Sequence, residues 1–178
     1  MIDEAGALLA PLVRRTLAPR GHTPILKHRA KHRDKVSLAA ALSFTPDHSL
    51  GLHFRTYPKD YVNNVKAAEF LDALLQDVTG PVVVLWDRGN MHKGDPIRAL
   101  KEKYPRLHTE FLPPYAPQLN PVELLWCFLK YGKLANFAPR DIAHLEERLV
   151  EHLLFAQTNQ RLLASFWHWS QLPRPGGL

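Results

Sequence analysis

Two acidic residues stand where a chain can hold a carboxylate firmly and in the open. Asp87 ends the apolar run from Val82 to Trp86, and Glu123 falls three residues after Asn120, at the start of an apolar-patterned stretch. Carboxylates held this way can ligate a hard divalent cation such as Mg²⁺, which prefers oxygen donors. With such ions bound, a phosphodiester can be polarised and its leaving oxygen relieved of charge. Each residue also has a plainer role. Glu123 can fold back onto Asn120 as the acidic half of a capping box, and Asp87 can simply open a turn.

The elements that must position them can be read from pattern. LPPYAPQLNPVELLWCFLK, from Leu112 to Lys130, opens as a loop, because Pro113, Pro114 and Pro117 cannot sit inside a strand or helix. A helix follows, with Asn120 as N-cap and Pro121 in the first position. Val122, Leu125, Trp126 and Leu129 give it one apolar face. Pro81–Trp86 is β-branched and continuously apolar, as expected of a central strand covered on both faces. In an α/β sheet, ligands bind at the carboxyl ends of such strands.

Upstream, Lys35–Phe44 and Leu50–Tyr57 alternate as two strands around the turn signal Pro46-Asp47, which predicts an antiparallel hairpin. A helix is expected over Val65–Val78, with Val65, Ala68, Leu71, Leu74, Leu75 and Val78 on its apolar face. Asp95–Lys103 reads as a short helix and Leu107–Leu112 as a strand. Ile142, Leu145, Leu149 and Leu153 mark a long amphipathic helix, and Arg161–Leu172 a last one whose Trp and Phe side chains close the core. The order of elements is that of a mixed-sheet α/β fold.

Composition excludes several function classes. At 178 residues and 46% hydrophobic content, the chain fits one globular domain. Its single cysteine, Cys127, rules out an internal disulfide framework or a multi-Cys zinc site, and its place in an apolar helix predicts burial. The ten histidines form no zinc-peptidase spacing. No signal peptide or membrane-length apolar run is present in this sequence, so no membrane partner and a cytoplasmic location are expected. A net charge of +6 suits a polyanionic partner. The charge is concentrated at Lys27, Arg29, Lys31, Arg33 and Lys35, a candidate phosphate-contacting segment, although a solvated basic loop would look the same.

PPYAPQLNPVELLW closely resembles the third catalytic motif of mariner-type DDE superfamily transposases, including those of many bacterial insertion sequences. VVVLWDRGNMHKG resembles the second, in which Asp is followed by a small residue and by a His five positions on, here Gly89 and His92. Asp3-Glu4 looks like the first motif. The resemblance implies a ribonuclease-H-like α/β fold over residues 3–172, with 173–178 as a disordered tail. It implies that Asp3, Asp87 and Glu123 are the catalytic carboxylates and jointly ligate Mg²⁺ or Mn²⁺, in the form of two ions. The activity implied is metal-dependent cleavage and strand transfer of DNA, with transposon ends and target DNA as partners. His92, Lys93 and Asn90 would position substrate. Whether the protein is a homodimer stays open.

Three departures accompany the likeness. Gln118 replaces a frequent acidic residue and Leu17 a frequent Trp. Only Met1 and Ile2 precede Asp3, so the first strand is expected to be truncated, and an upstream DNA-reading segment, supplied by a frameshift fusion, is expected to be missing. Two other readings share these residues. One is a degenerate transposase remnant that binds DNA without cutting it, and the other is a different nuclease of the same fold, a ribonuclease or Holliday-junction resolvase.

Overall fold

The computed structural model describes residues 1–27, 34–170 and 172. Its framework is a three-stranded antiparallel sheet in the order β1 (Ile2–Leu8), β2 (Lys35–Phe44), β3 (Leu50–Pro58). The register runs from Ile2 opposite Ala41 to Leu8 opposite Lys35, and from Val36 opposite Pro58 to Phe44 opposite Leu50. A parallel pair, β4 (Val82–Trp86) and β5 (Leu107–Phe111), forms a separate ladder, with β4 next to β1.

Helices cover both faces. α1 (Asn64–Asp77) and α2 (Asp95–Lys103) pack with Ala39 and Ala41 of β2 and with Val84 and Trp86 of β4. On the other face, Val36, Leu38, Ala40 and Leu42 pack against α3 (Pro121–Cys127), α4 (Ile142–Thr158) and α5 (Gln160–Trp169). β2 therefore has no solvent side, and its alternating residues divide between two apolar clusters. Four of the helices begin at side-chain caps: Asn63, Asn120, Asp141 and Asn159 each accept a hydrogen bond from a first-turn backbone N–H.

Several expectations from pattern need correction. The first strand does not stop at Asp3. It runs seven residues, because the chain from Ile2 to Leu8 pairs continuously with β2 and buries Ala7. β4 is not covered on both faces: Val83 is 59% exposed, and the strand buried on both sides is β2, which lies between two partners. Val65 is half-exposed on α1, where Phe70 takes the core position instead. Cys127 is exposed, since the buried face of α3 is set by Val122, Leu125 and Trp126. After Cys127 the backbone widens into a π-helical turn, Phe128–Lys133, where a regular helix was expected. In α5 Phe166 and Trp167 are core, whereas Trp169 points to solvent. The tail 173–178 and the middle of the basic segment, including Arg29, Lys31 and Arg33, lie outside the described residues.

Candidate active site

Three elements distant in sequence converge on one cavity of about 420 Å³, whose lining includes Asp3, Asp87, Arg88, Tyr115, Asn120 and Glu123. Asp3 comes from β1, Asp87 follows the last residue of β4, and Glu123 stands in the first turn of α3. The loop that starts α3 is anchored at its near end, where Leu112 N–H donates to the carbonyl of Trp86 at 2.8 Å. At its far end the Asn120 side chain accepts from Val122 N–H at 3.1 Å, which sets the first turn and with it Glu123.

Asp3 is only 9% exposed, and its Oδ2 accepts from the indole Nε1–H of Trp126 at 2.9 Å. Burial, and after it the neighbouring charge of Glu123, pushes its carboxyl up to about 7. The hydrogen bond from Trp126 opposes that rise without cancelling it.

Asp87 is held differently. Its side chain is 60% exposed, yet Oδ1 accepts from the Gly89 N–H at 2.7 Å and lies 2.9 Å from Nδ1 of His92. The same Nδ1 is 3.1 Å from the Asp87 carbonyl. The other ring nitrogen, Nε2, is 3.1 Å from both carboxylate oxygens of Glu4. The imidazole is 2% exposed and stacks on Trp86, with centroids 4.6 Å apart and planes 7° from parallel. Burial alone would lower its pKa, but the bond and charge of Glu4, joined by Asp87, carry it above the ordinary histidine value. A protonated imidazole donates from both nitrogens, so one ring ties β1 to the end of β4.

A divalent cation fits the chemistry of this donor set. All three candidate ligands are carboxylates, and no ion pair among the described residues neutralises Asp3 or Glu123. A buried carboxyl that a second carboxylate drives toward the neutral form is one that a cation would return to the charged form. Asp87 commits Oδ1 to the protein and, among the described residues, keeps Oδ2 without a partner. As they stand, the described residues contain no group of three His, Cys, Asp or Glu side chains close enough to share one ion.

The other predicted residues divide. His92 is too buried to touch DNA, because both ring nitrogens are engaged within the protein; it orients Asp87 instead. Lys93 and Asn90 are exposed beside it, with the Lys93 ammonium 5.9 Å from the Phe111 ring centroid. Lys27 is exposed, and Lys35 lies with its ammonium 3.8 Å from the Tyr61 ring centroid. Sequence reasoning missed Glu4 and Trp126 as partners of the site. In the sequence Glu4 stands out only as the neighbour of Asp3, and Trp126 only as an apolar-face residue.

Comparison with known proteins adds to this geometry. The family model described as DDE superfamily endonuclease matches residues 1–146. A comparison with curated proteins finds no match. Among solved structures, the Mos1 transposase paired-end complex with left transposon end is similar with a TM-score of 0.68 and 17% identity, over 94% of this chain and 50% of that one. The Mos1 Strand Transfer Complex gives 0.64 and 19%, over 94% and 49%. The catalytic domain of Mos1 mariner transposase gives 0.56 and 16%, over 76% and 67%. The likeness shows a ribonuclease-H-like fold. The chain spans about half the length of the first two of these proteins.

Proposed function

Because the chain belongs to the DDE superfamily of endonucleases, we propose that it is the catalytic domain of a transposase, cutting DNA strands at transposon ends and joining them to target DNA. The observation that carries this reading is the meeting of Asp3, Asp87 and Glu123 on one cavity. The catalytic domain is taken as residues 3–172, and an origin in a bacterial insertion sequence is part of the same proposal. So is a cytoplasmic location; no helix of the described residues is long and apolar enough to cross a membrane.

In this reading Asp3, Asp87 and Glu123 hold two Mg²⁺ or Mn²⁺ ions. Bound there, the ions supply polarisation of the scissile phosphate and charge relief on the leaving oxygen. The chain's own residues do the positioning. Trp126 fixes the Asp3 carboxyl by one oxygen. Gly89 and His92 fix Asp87, and Glu4 fixes His92. Asn120 sets the turn that carries Glu123. As the family resemblance implies, water would attack the scissile phosphorus in line and displace a 3′-hydroxyl, and that hydroxyl would then attack a target phosphorus and displace the target's own 3′-hydroxyl. The basic segment from Lys27 to Lys35 contributes phosphate contacts. Assembly as a homodimer completes the proposal.

The test is nicking of supercoiled DNA and of end-bearing duplexes in Mg²⁺ or Mn²⁺. Asp87→Asn and Glu123→Gln should each abolish cutting while leaving DNA binding intact. Variants that cut as well as the parent would remove the assignment. Binding without metal-dependent cutting by the parent would favour the remnant, and cutting of branched or hybrid substrates alone would favour a different nuclease.

A further inference from the structure

We propose, on the reading of Asp3 as a metal ligand given above, that Trp126 sets the cation specificity of the site. By taking one oxygen of Asp3 it makes that carboxylate a one-oxygen ligand, which suits a small cation and selects against a large one. The indole Nε1–H of Trp126 donates to Oδ2 of Asp3 at 2.9 Å, and Trp126 is only 3% exposed. Among the described residues the indoles of Trp86, Trp126 and Trp167 are buried, and the N–H groups of Trp86 and Trp167 have no acceptor. The fold thus tolerates a buried indole without a partner. The one that it pairs meets a carboxylate lining the cavity.

Glu123 and Trp126 lie three positions apart on α3, so one helix seats a carboxylate of the site and the donor that holds another. Asp87 is restricted in the same way by other groups: its Oδ1 accepts from the Gly89 N–H at 2.7 Å and lies 2.9 Å from Nδ1 of His92. Asp3 and Asp87 therefore each keep one oxygen for a cation. A cation that gripped both oxygens of Asp3 would share Oδ2 with the indole hydrogen, whose partial positive charge opposes it. Mg²⁺ is content with single carboxylate oxygens and keeps several waters in a small octahedron. Ca²⁺ gathers about six to eight oxygens and readily takes a carboxylate by both. The Trp126 bond disfavours the second arrangement and leaves the first untouched.

The experiment uses the whole chain at about pH 8, with Mg²⁺, Mn²⁺ and Ca²⁺ titrated by calorimetry. The parent should bind Mg²⁺ and Mn²⁺ at least about 10-fold more tightly than Ca²⁺, and Trp126→Phe should narrow that ratio about 10-fold with the circular dichroism unchanged. Replacement of the Trp126 indole by benzothiophene removes the donor at nearly constant shape and should narrow the ratio equally, which covers a Phe variant that packs poorly. In the parent, the Nε1–H resonance of Trp126, identified by its absence from Trp126→Phe, should keep its hydrogen-bonded position when Mg²⁺ is added. A ratio that is the same in the parent and both variants would overturn the inference. So would a resonance that moves to the free-indole position with Mg²⁺, or a parent that binds Ca²⁺ as tightly as Mg²⁺. Asp87-dependent nicking remains the separate measure of the nuclease reading. A parent that binds none of the three ions overturns both.

Discussion

Glu4 and His92, 88 positions apart in the sequence, meet with both carboxylate oxygens 3.1 Å from one ring nitrogen. The other ring nitrogen is 2.9 Å from Asp87. The acidic residue beside Asp3 thus acts on the second carboxylate of the site, through a ring locked by Trp86. Outer partners of this kind orient a ligand and tune its basicity.

Glu4→Gln keeps a hydrogen-bond partner for His92 but removes the charge that raises its pKa. Metal affinity and cutting should fall about 10- to 100-fold, with the circular dichroism unchanged. His92→Ala should fall at least as far. Calorimetric titration with Mn²⁺ reads the effect independently of turnover, and equal affinity in all three proteins would show that the chain Glu4–His92–Asp87 has no part in metal binding.

Gly89 leaves room that Asp87 needs. A β-carbon at this position would lie 2.9 Å from Asp87 Oδ1, too close for the carboxylate to stay. Because Asp87 is largely exposed it can swing aside at little cost to the fold. Gly89→Ala should therefore leave the melting temperature within a few degrees, roughly the effect of a surface substitution, and lower activity far more. A variant that melts early and cuts normally would reverse this ordering.

The pH dependence of the metal-free protein follows from Asp3. Its carboxyl is raised in the folded state to about 7, so the folded protein holds a proton that the unfolded chain has already lost. The associated stability is full below the unfolded value near 4 and disappears as pH climbs through 7, with a loss on the order of 4 kcal/mol for this group alone. His92, also raised, acts with the same sign. Asp60 and Asp72, held low, change only at more acidic pH. The buried Met1 amino group, pushed down by burial to about 5, acts with the opposite sign over the same range, so the readout is a difference: in EDTA the melting temperature of Asp3→Asn should gain on that of the parent as pH rises from about 4 to about 7. Mg²⁺ should stabilise the parent mainly at the upper end, where the ionised carboxyl is available; a difference between parent and Asp3→Asn that does not change with pH in EDTA would contradict the assignment.

The basic segment is tested by salt. Affinity for unrelated duplexes should drop steeply with ionic strength, and Lys31→Ala with Arg33→Ala should flatten the slope by about 0.9 for each phosphate that no longer meets a cation. A slope that does not move would make the segment a solvated loop.

The strands after β1, the helices and the places of Asp87 and Glu123 are legible in the sequence because each is specified locally, whereas the length of β1 is set by its pairing with β2. A β-branched run stops at Asp87, and a cap with a proline precedes Glu123. The burial of β4 was misread because an apolar run alone does not say whether a strand has neighbours on both sides; Val83 shows that it need not. The π-helical turn at Phe128–Lys133 was invisible, since its residues carry ordinary helical signals. Glu4 and Trp126 were missed as site partners for a different reason. Their roles depend on contacts across most of the chain, and no periodicity encodes which side chains meet across a folded core.

The bond from Trp126 to Asp3 spans 123 positions, and this separation bears on when the carboxylate site can form. A contact of such range closes a large loop, and the entropy of closing it must be overcome before the contact can form. Asp3 is the first carboxylate to leave the ribosome, but it gains its indole donor only once α3 has docked against β1. A nascent or partly unfolded chain therefore has its acidic residues without the site. The carboxylates of β1 and α3 therefore share one cavity only in the folded chain.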